Sequence, residues 1–238
     1  KLELNYAQVN VNCMSHWALD SMSTLQLVKP RKIIQENSPA GRTYLTENGD
    51  RYPSVTTVLS KLSDGDIEAW RKRVGEKKAD RISSNSARVG EVLHKCCENY
   101  ILGLSLPETT KPIMQLFRRM IPSLNRVGLV RGVELPMWSD YLKLAGTSDL
   151  VGDWDNELAI IDFKNSRKAK NRAWIQAYFL QGAAYARMFY EQHGLIPRKI
   201  VIIIATWQGQ LQIFEENVGD HYPELINVMK EHNPKWSK

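Results

Sequence analysis

The spacing of apolar positions divides the chain into a helical first half and a second half in which strands and helices alternate. Residues 1–50 carry the weakest pattern. Residues 44–52 center on Asn48-Gly49, a pair that supplies the positive φ angles of a type I′ turn, so a small hairpin is expected. Pro53 and Ser54 follow and open a short helix that Ser54 or Thr56 could cap. A charged helix should start at Asp64 or Asp66 and run through Trp70 to about Asp80. A second helix should cover 84–102, stopped by Gly103. A shorter helix falls near 112–121 and leads to three extended runs at 127–138, 141–151 and 157–164. Asp153, Asp155 and Asn156 are turn residues joining the last two runs. A long helix is expected from about Asn171 to Gln192, closed by Gly194. The β-branched run at 199–206 predicts a strand buried on both faces. Gly209 turns it into a further strand at 211–214, and a helix over 220–231 completes the pattern. The expected fold is mixed α/β: a three-strand antiparallel meander, a helix and further strands, flanked by helices. An extension with the hairpin (1–50) would precede the main domain (51–238).

Composition changes this picture little. Of 238 residues, 43% are hydrophobic and 24% charged, enough apolar mass for a sizeable core. The net charge of +6, from 32 Lys and Arg against 26 Asp and Glu, favours a polyanionic partner without establishing one. The three cysteines, Cys13 and the neighbours Cys96 and Cys97, are too few for a disulfide framework and are read as reduced thiols. The longest purely apolar run, 200–205, is far short of the roughly 20 residues a membrane helix needs. Nothing near Lys1 resembles a signal peptide, although the chain does not begin with Met and a lost leader would not show. A cytoplasmic protein without a membrane partner is expected.

The chemistry gathers in the meander. Asp162 and Lys164 are two apart, so on a strand they share a face, while Phe163 points to the core. Asp149 lies 13 residues earlier on the partner strand, and a short hairpin would bring it beside them. Charges that emerge where the apolar pair Ile160-Ile161 leaves the core need a partner or a metal. Two hard oxygen donors suit Mg²⁺, with Mn²⁺ as a substitute, and leave room for a water and a phosphate oxygen. An ammonium beside them could position the nucleophile or stabilise charge on phosphorus. Asp-x-Lys alone also fits a structural ion pair at a strand end.

The wider pattern is Gly90-Glu-Val-Leu-His94 on a helix, Gly146-Thr-Ser-Asp149 ending a strand, Asp162-Phe-Lys164 on the next strand, and Gln181-Gly-Ala-Ala-Tyr185 on the following helix. In that order and on those element types, it resembles the PD-(D/E)xK nuclease superfamily and, within it, the RecB-like exonucleases. The run 52–59 followed by Trp70 looks like the lead-in of phage exonucleases of this kind and of mitochondrial genome maintenance exonucleases. The resemblance implies a restriction-endonuclease-like core. It also implies Asp149 and Asp162 as metal carboxylates, Lys164 as the catalytic lysine, the Phe163 carbonyl as a backbone metal ligand and His94 as a further metal ligand. Gln181 and Tyr185, four apart on one helix face, would flank the catalytic site. Glu98, one turn beyond His94, could orient it or be a solvated charge. Glu134 resembles a Glu at the end of the first strand that approaches the metal or anchors that strand. Three cysteines rule out the four-cysteine iron–sulfur cluster of some members within one chain, and no phosphate-binding loop for ATP is present.

The resemblance implies a Mg²⁺-dependent DNA exonuclease acting on single strands or duplex ends in phage replication, recombination or repair. A single-strand-annealing or replication protein would be its partner. A structure-specific or restriction-type endonuclease, or an inactive DNA-binding recombination subunit, remains open at this point. Phosphate contacts are expected from Arg88, from Arg167, Lys168, Lys170 and Arg172 just past Lys164, and from Ser54 and Thr56 if they do more than cap a helix. Trp70 and Trp174 could stack on exposed bases.

Overall fold

The computed structural model describes residues 24–39 and 41–232, so Cys13 lies outside the described residues. A small antiparallel sheet runs β1 (Ile33–Ser38), β2 (Gly41–Thr46) and β3 (Arg51–Pro53). A larger sheet places β4 (Val127–Ser139), β5 (Leu144–Trp154), β6 (Glu157–Ser166), β7 (Lys199–Thr206) and β8 (Leu211–Asn217) side by side in chain order. All its neighbours are antiparallel except β6 and β7. Those two are parallel because helix α5 (Gln176–His193) carries the chain back between them, the crossover that a parallel pair requires. The architecture is mixed α/β, compatible with a restriction-endonuclease-like core.

Side-chain alternation gives the large sheet a core on each face. Ile160, Ile200, Ile202 and Ile204 pack with Phe179, Leu180 and Met188 of α5, alongside α1 (Val55–Ser60) and α6 (Val218–His232). The intervening Ile161, Phe163, Val201 and Ile203 pack with Leu93 of α3 (Glu76–Ile101) and with Leu116 and Phe117 of α4 (Lys111–Leu124). Each such side chain contributes roughly 1.5–3 kcal/mol on burial. Strands covered on both faces read as unbroken apolar runs, which is why 199–206 was so plain in the sequence. The small sheet docks through Tyr44 and Tyr52 on Trp138 and Ala145, and Ser54 bridges to Ala145. This brings β2 and the start of α1 to one end of β4 and β5.

Several local expectations are corrected. The break in the helical half falls at Gly75, not at 80–84. Helix α2 (Asp64–Val74) ends where Gly75 adopts φ +86° and donates its N–H to the Arg71 carbonyl at 2.9 Å; α3 then runs unbroken through 80–84. The polar run 83–86 costs an exposed helix only roughly 0.5 kcal/mol per residue, whereas a left-handed residue ends it. The 44–52 hairpin forms with a longer turn. Only Gly49 in it has positive φ, and the Gly49 N–H reaches the Thr46 carbonyl at 3.0 Å while Thr46 N–H reaches Asp50 at 2.8 Å. That is a three-residue loop with a left-handed glycine. A turn with positive φ at both central residues joins β5 to β6 instead, at Asp155 (+50°) and Asn156 (+66°). The second run starts at Leu144 because residues 139–143 turn, with Leu142 N–H on Ser139 Oγ at 2.8 Å. The helix expected from Asn171 begins as a separate 3₁₀ turn, Arg172–Ile175, capped by Asn171 Oδ1 accepting from Ala173 N–H at 3.0 Å. Gly194 closes α5 in the left-handed conformation, as expected. Cys96 and Cys97 are buried free thiols, and among the described residues no helix is long and apolar enough to cross a membrane.

Candidate metal centre

The centre lies where β5 and β6 part. Their backbone pairing runs from Trp154 opposite Glu157 to Leu150 opposite Ile161 and stops there. The next pair would be Asp149 and Asp162. In place of a ladder bond, Asp149 Oδ2 accepts the Phe163 N–H at 2.8 Å, and its Oδ1 lies 3.4 Å from His94 Nδ1. The Asp149 side chain is only 11% exposed, so these contacts are made largely out of water. His94 comes from α3 and meets the Phe163 ring edge-on, with centroids 6.2 Å apart. Lys164 Nζ forms a close ion pair with Asp162 Oδ2, and Gln181 Nε2 donates to Asp162 Oδ1 at 3.3 Å. Gln181 also donates to the Tyr185 hydroxyl at 3.4 Å. The Tyr185 ring lies on Gly146, where a Cβ would come within 2.8 Å of it, so the Gly146 and Gln181/Tyr185 motifs are halves of one contact.

Glu134 joins the cluster through a strained backbone. Val133 packs in the α3–α4 core, but Leu135, two residues on, packs in the α5 core. In a regular strand both would face the same side. Glu134 makes the change of face by adopting φ +45°, a region that residues other than glycine rarely occupy. Such strain is of order 1–3 kcal/mol and gathers at functional sites. Ligand-type atoms of His94, Glu134 and Asp149 lie within 4.8 Å of one another. Glu98 does not turn to His94; Lys95 Nζ holds both its carboxylate oxygens at 2.8 Å.

Burial and mutual charge set the protonation of the cluster. Burial, reinforced by the Asp149 charge, pushes Glu134 up to about 7. Burial also raises Asp162 to about 6, against the pull of Lys164. Burial works against the charge on Asp149 too, but His94, Lys164 and the Phe163 N–H hold its pKa below the ordinary value. Burial disfavours the His94 imidazolium, yet Asp149 raises its pKa to about 9. Burial likewise opposes the Lys164 charge, and Asp162 and Asp149 overcome it, so the lysine stands as an ammonium. Carboxylates that raise one another's pKa are relieved by a divalent cation. Oxygen donors with one imidazole suit Mg²⁺ or Mn²⁺, so the residues fit such an ion.

An open cavity of about 460 Å³ exposes the cluster. His94, Glu134, Asp149, Lys164, Gln181 and Tyr185 line it, together with Ser54 and Thr56. Ser54 also caps α1, accepting from Thr57 N–H at 3.0 Å. Other expected residues lie elsewhere. Arg167 and Lys170 line a second cleft. Arg172 is paired with Glu216 through Nε at 2.5 Å and Nη2 at 2.8 Å. Arg88 donates to Asn85 at 3.1 Å, and Trp174 is 76% exposed. Trp70 and Lys168 line neither cavity. Arg42 and Tyr44 also line the first cavity and were missed: Arg42 lies ahead of the hairpin expected at 44–52, and no local pattern tells where the small sheet docks.

No family model matches the chain, and no curated protein matches it. Among solved structures, one from Eubacterium rectale described as a "putative exonuclease" shares 14% identity with it, at a TM-score of 0.40. The likeness covers 77% of this chain and 66% of that one.

Proposed function

We propose that this protein is a divalent-metal-dependent deoxyribonuclease of the RecB-like PD-(D/E)xK kind, acting as an exonuclease on DNA ends. The observation that carries the reading is the meeting of His94, Glu134 and Asp149 within 4.8 Å, beside the Asp162–Lys164 pair. A structural ion pair at a strand end needs neither a third and fourth titratable group nor a strained Glu134. His94, Glu134, Asp149 and Asp162 would hold Mg²⁺ or Mn²⁺. The Phe163 carbonyl would join them, since it lies on the same side of β6 as the N–H that Asp149 accepts. Such an ion, when bound, lowers the pKa of a water and takes up charge on phosphoryl oxygens.

The chain's own groups do the rest. The Lys164 ammonium faces the cavity and stabilises negative charge on a phosphate, with Asp162 holding it in place. Gln181 fixes the Asp162 carboxylate, and Tyr185 fixes Gln181. Ser54 and Thr56 line the same cavity, where a phosphate would draw their hydroxyls from the bonds they make with Thr57 and with each other. In this reading, residues 51–238 are the nuclease domain, and Arg42 and Tyr44 of the preceding extension complete its cavity. Work in phage DNA replication, recombination or repair, beside an annealing or replication protein, accords with the family resemblance.

End-labelled linear DNA tests the reading. Nucleotides should be released with Mg²⁺ or Mn²⁺, none with a chelator and none by Lys164→Ala, and a closed circular single strand should survive. Cutting of the circle would make the protein an endonuclease. DNA binding without cleavage under either metal would make it a binding subunit.

A further inference from the structure

A second cleft, of about 620 Å³, opens beyond the carboxyl ends of β6 and β7, the parallel pair of the large sheet. Crevices at the carboxyl ends of parallel strands are where α/β sheets commonly take ligands. Arg81 of α3 and Arg167 and Lys170 of the loop after β6 line this one, with no carboxylate in its walls. Among the described residues, none of these three cations has an acidic partner.

The cleft is held in shape. Trp207 N–H donates to the Ser166 carbonyl at 2.9 Å, fixing one end of the loop. The Gln212 side chain accepts Lys170 N–H at 2.7 Å and donates to the Lys170 carbonyl at 3.0 Å, fixing the other. Backbone groups make these bonds, so the cationic side chains remain available. Trp207, a residue 41% exposed, lines the same cleft. The cleft also adjoins the metal centre: Tyr178 lines it, and Lys164 Nζ sits 5.2 Å from the Tyr178 ring centroid.

We propose that this cleft binds a stretch of single-stranded nucleic acid, with Arg81, Arg167 and Lys170 on its phosphates and a base stacked on Trp207. The proposal rests on the nuclease reading only for the direction in which the strand continues, toward Lys164. Uncompensated cations suit any polyanion. The Trp207 indole favours a single strand, because unpaired bases offer a free π face and a duplex keeps its bases stacked.

Fluorescence anisotropy with labelled deoxyoligonucleotides in EDTA tests the cleft without cleavage. Trp207→Ala should weaken single-strand binding by about tenfold, and Trp207→Phe should restore most of it. Duplex binding should be the same for all three proteins. The double variant Arg167→Ala with Lys170→Ala should bind less tightly, and its log Kd should depend less steeply on log salt, by about 1.4 for two lost phosphate contacts. Unchanged single-strand binding by Trp207→Ala, or an equal loss for duplex, would overturn the proposal. The readout is independent of catalysis. A protein that loses single-strand affinity in Trp207→Ala but cuts nothing with Mn²⁺ keeps the cleft and loses the nuclease.

Discussion

The two cavities that meet near Lys164 differ in how their charges are answered. The first has Glu91, Glu98, Glu134 and Asp149 in its lining beside Asp162; His94 meets Asp149, Lys164 pairs with Asp162 and Lys95 holds Glu98, with Arg42 also in the wall. The contacts of Asp149 and Asp162 are made largely out of water, and burial raises the pKa values of Glu134 and Asp162. The second has three cations, no carboxylate and an exposed tryptophan. The chain's modest net charge of +6 hides this division. What separates the cavities is which charges are already answered: an acidic, buried cluster suits a small cation, and unanswered cations suit phosphates.

The sharpest way to break the comparison is Lys164→Ala. Cleavage should fall by at least about 10²–10³-fold, the scale of losing one charge-stabilising group, while single-strand binding in EDTA should lose no more than one phosphate contact. Equal losses in both assays would show that the cavities are not separate in function. Gly146→Ala should come next. The new Cβ would sit 2.8 Å from the Tyr185 ring, so Tyr185 must move and Gln181 loses its support. Chemical denaturation should show a loss of about 1–3 kcal/mol; an unchanged midpoint would mean that the ring adapts freely.

Glu134→Gly sharpens the comparison from the other direction. Glycine accepts φ +45° without strain, so stability should rise by about 1 kcal/mol while metal affinity falls. A less stable variant that keeps its metal affinity would contradict the role given to this residue. The smallest effect should be that of Arg172→Ala. Its guanidinium is bound to Glu216, so the salt dependence of DNA binding should not change, whereas removing a true phosphate contact lowers that slope by about 1.

Legibility in the sequence followed how local each determinant is. The buried strand β7, the Gly194 helix stop and the sharing of one face by Asp162 and Lys164 depend on residues a few positions apart, and all were readable. The Gly75 break was not, because the polar run 83–86 imitates a helix boundary and an isolated glycine does not announce a left-handed φ. Nor was the change of face at Glu134, since Val133-Glu134-Leu135 reads as ordinary alternation and the inversion appears only when both cores are in place. The basic run after Lys164 looked uniform, but Glu216 takes Arg172 while Arg167 and Lys170 turn to the cleft. Glu216 lies 44 positions from Arg172, beyond the reach of any local pattern.

The central claim is that His94, Glu134 and Asp149 form a divalent-metal site, and calorimetric titration of Mn²⁺ into wild type and Asp149→Asn tests it most directly. Asparagine keeps an acceptor for the Phe163 N–H but removes the charge that His94 and Lys164 stabilise, so a melting curve recorded alongside shows that the variant is folded. The account predicts saturable Mn²⁺ binding in wild type that is lost or at least about tenfold weaker in the variant. No binding by wild type, or equal affinity in the two proteins, would contradict it.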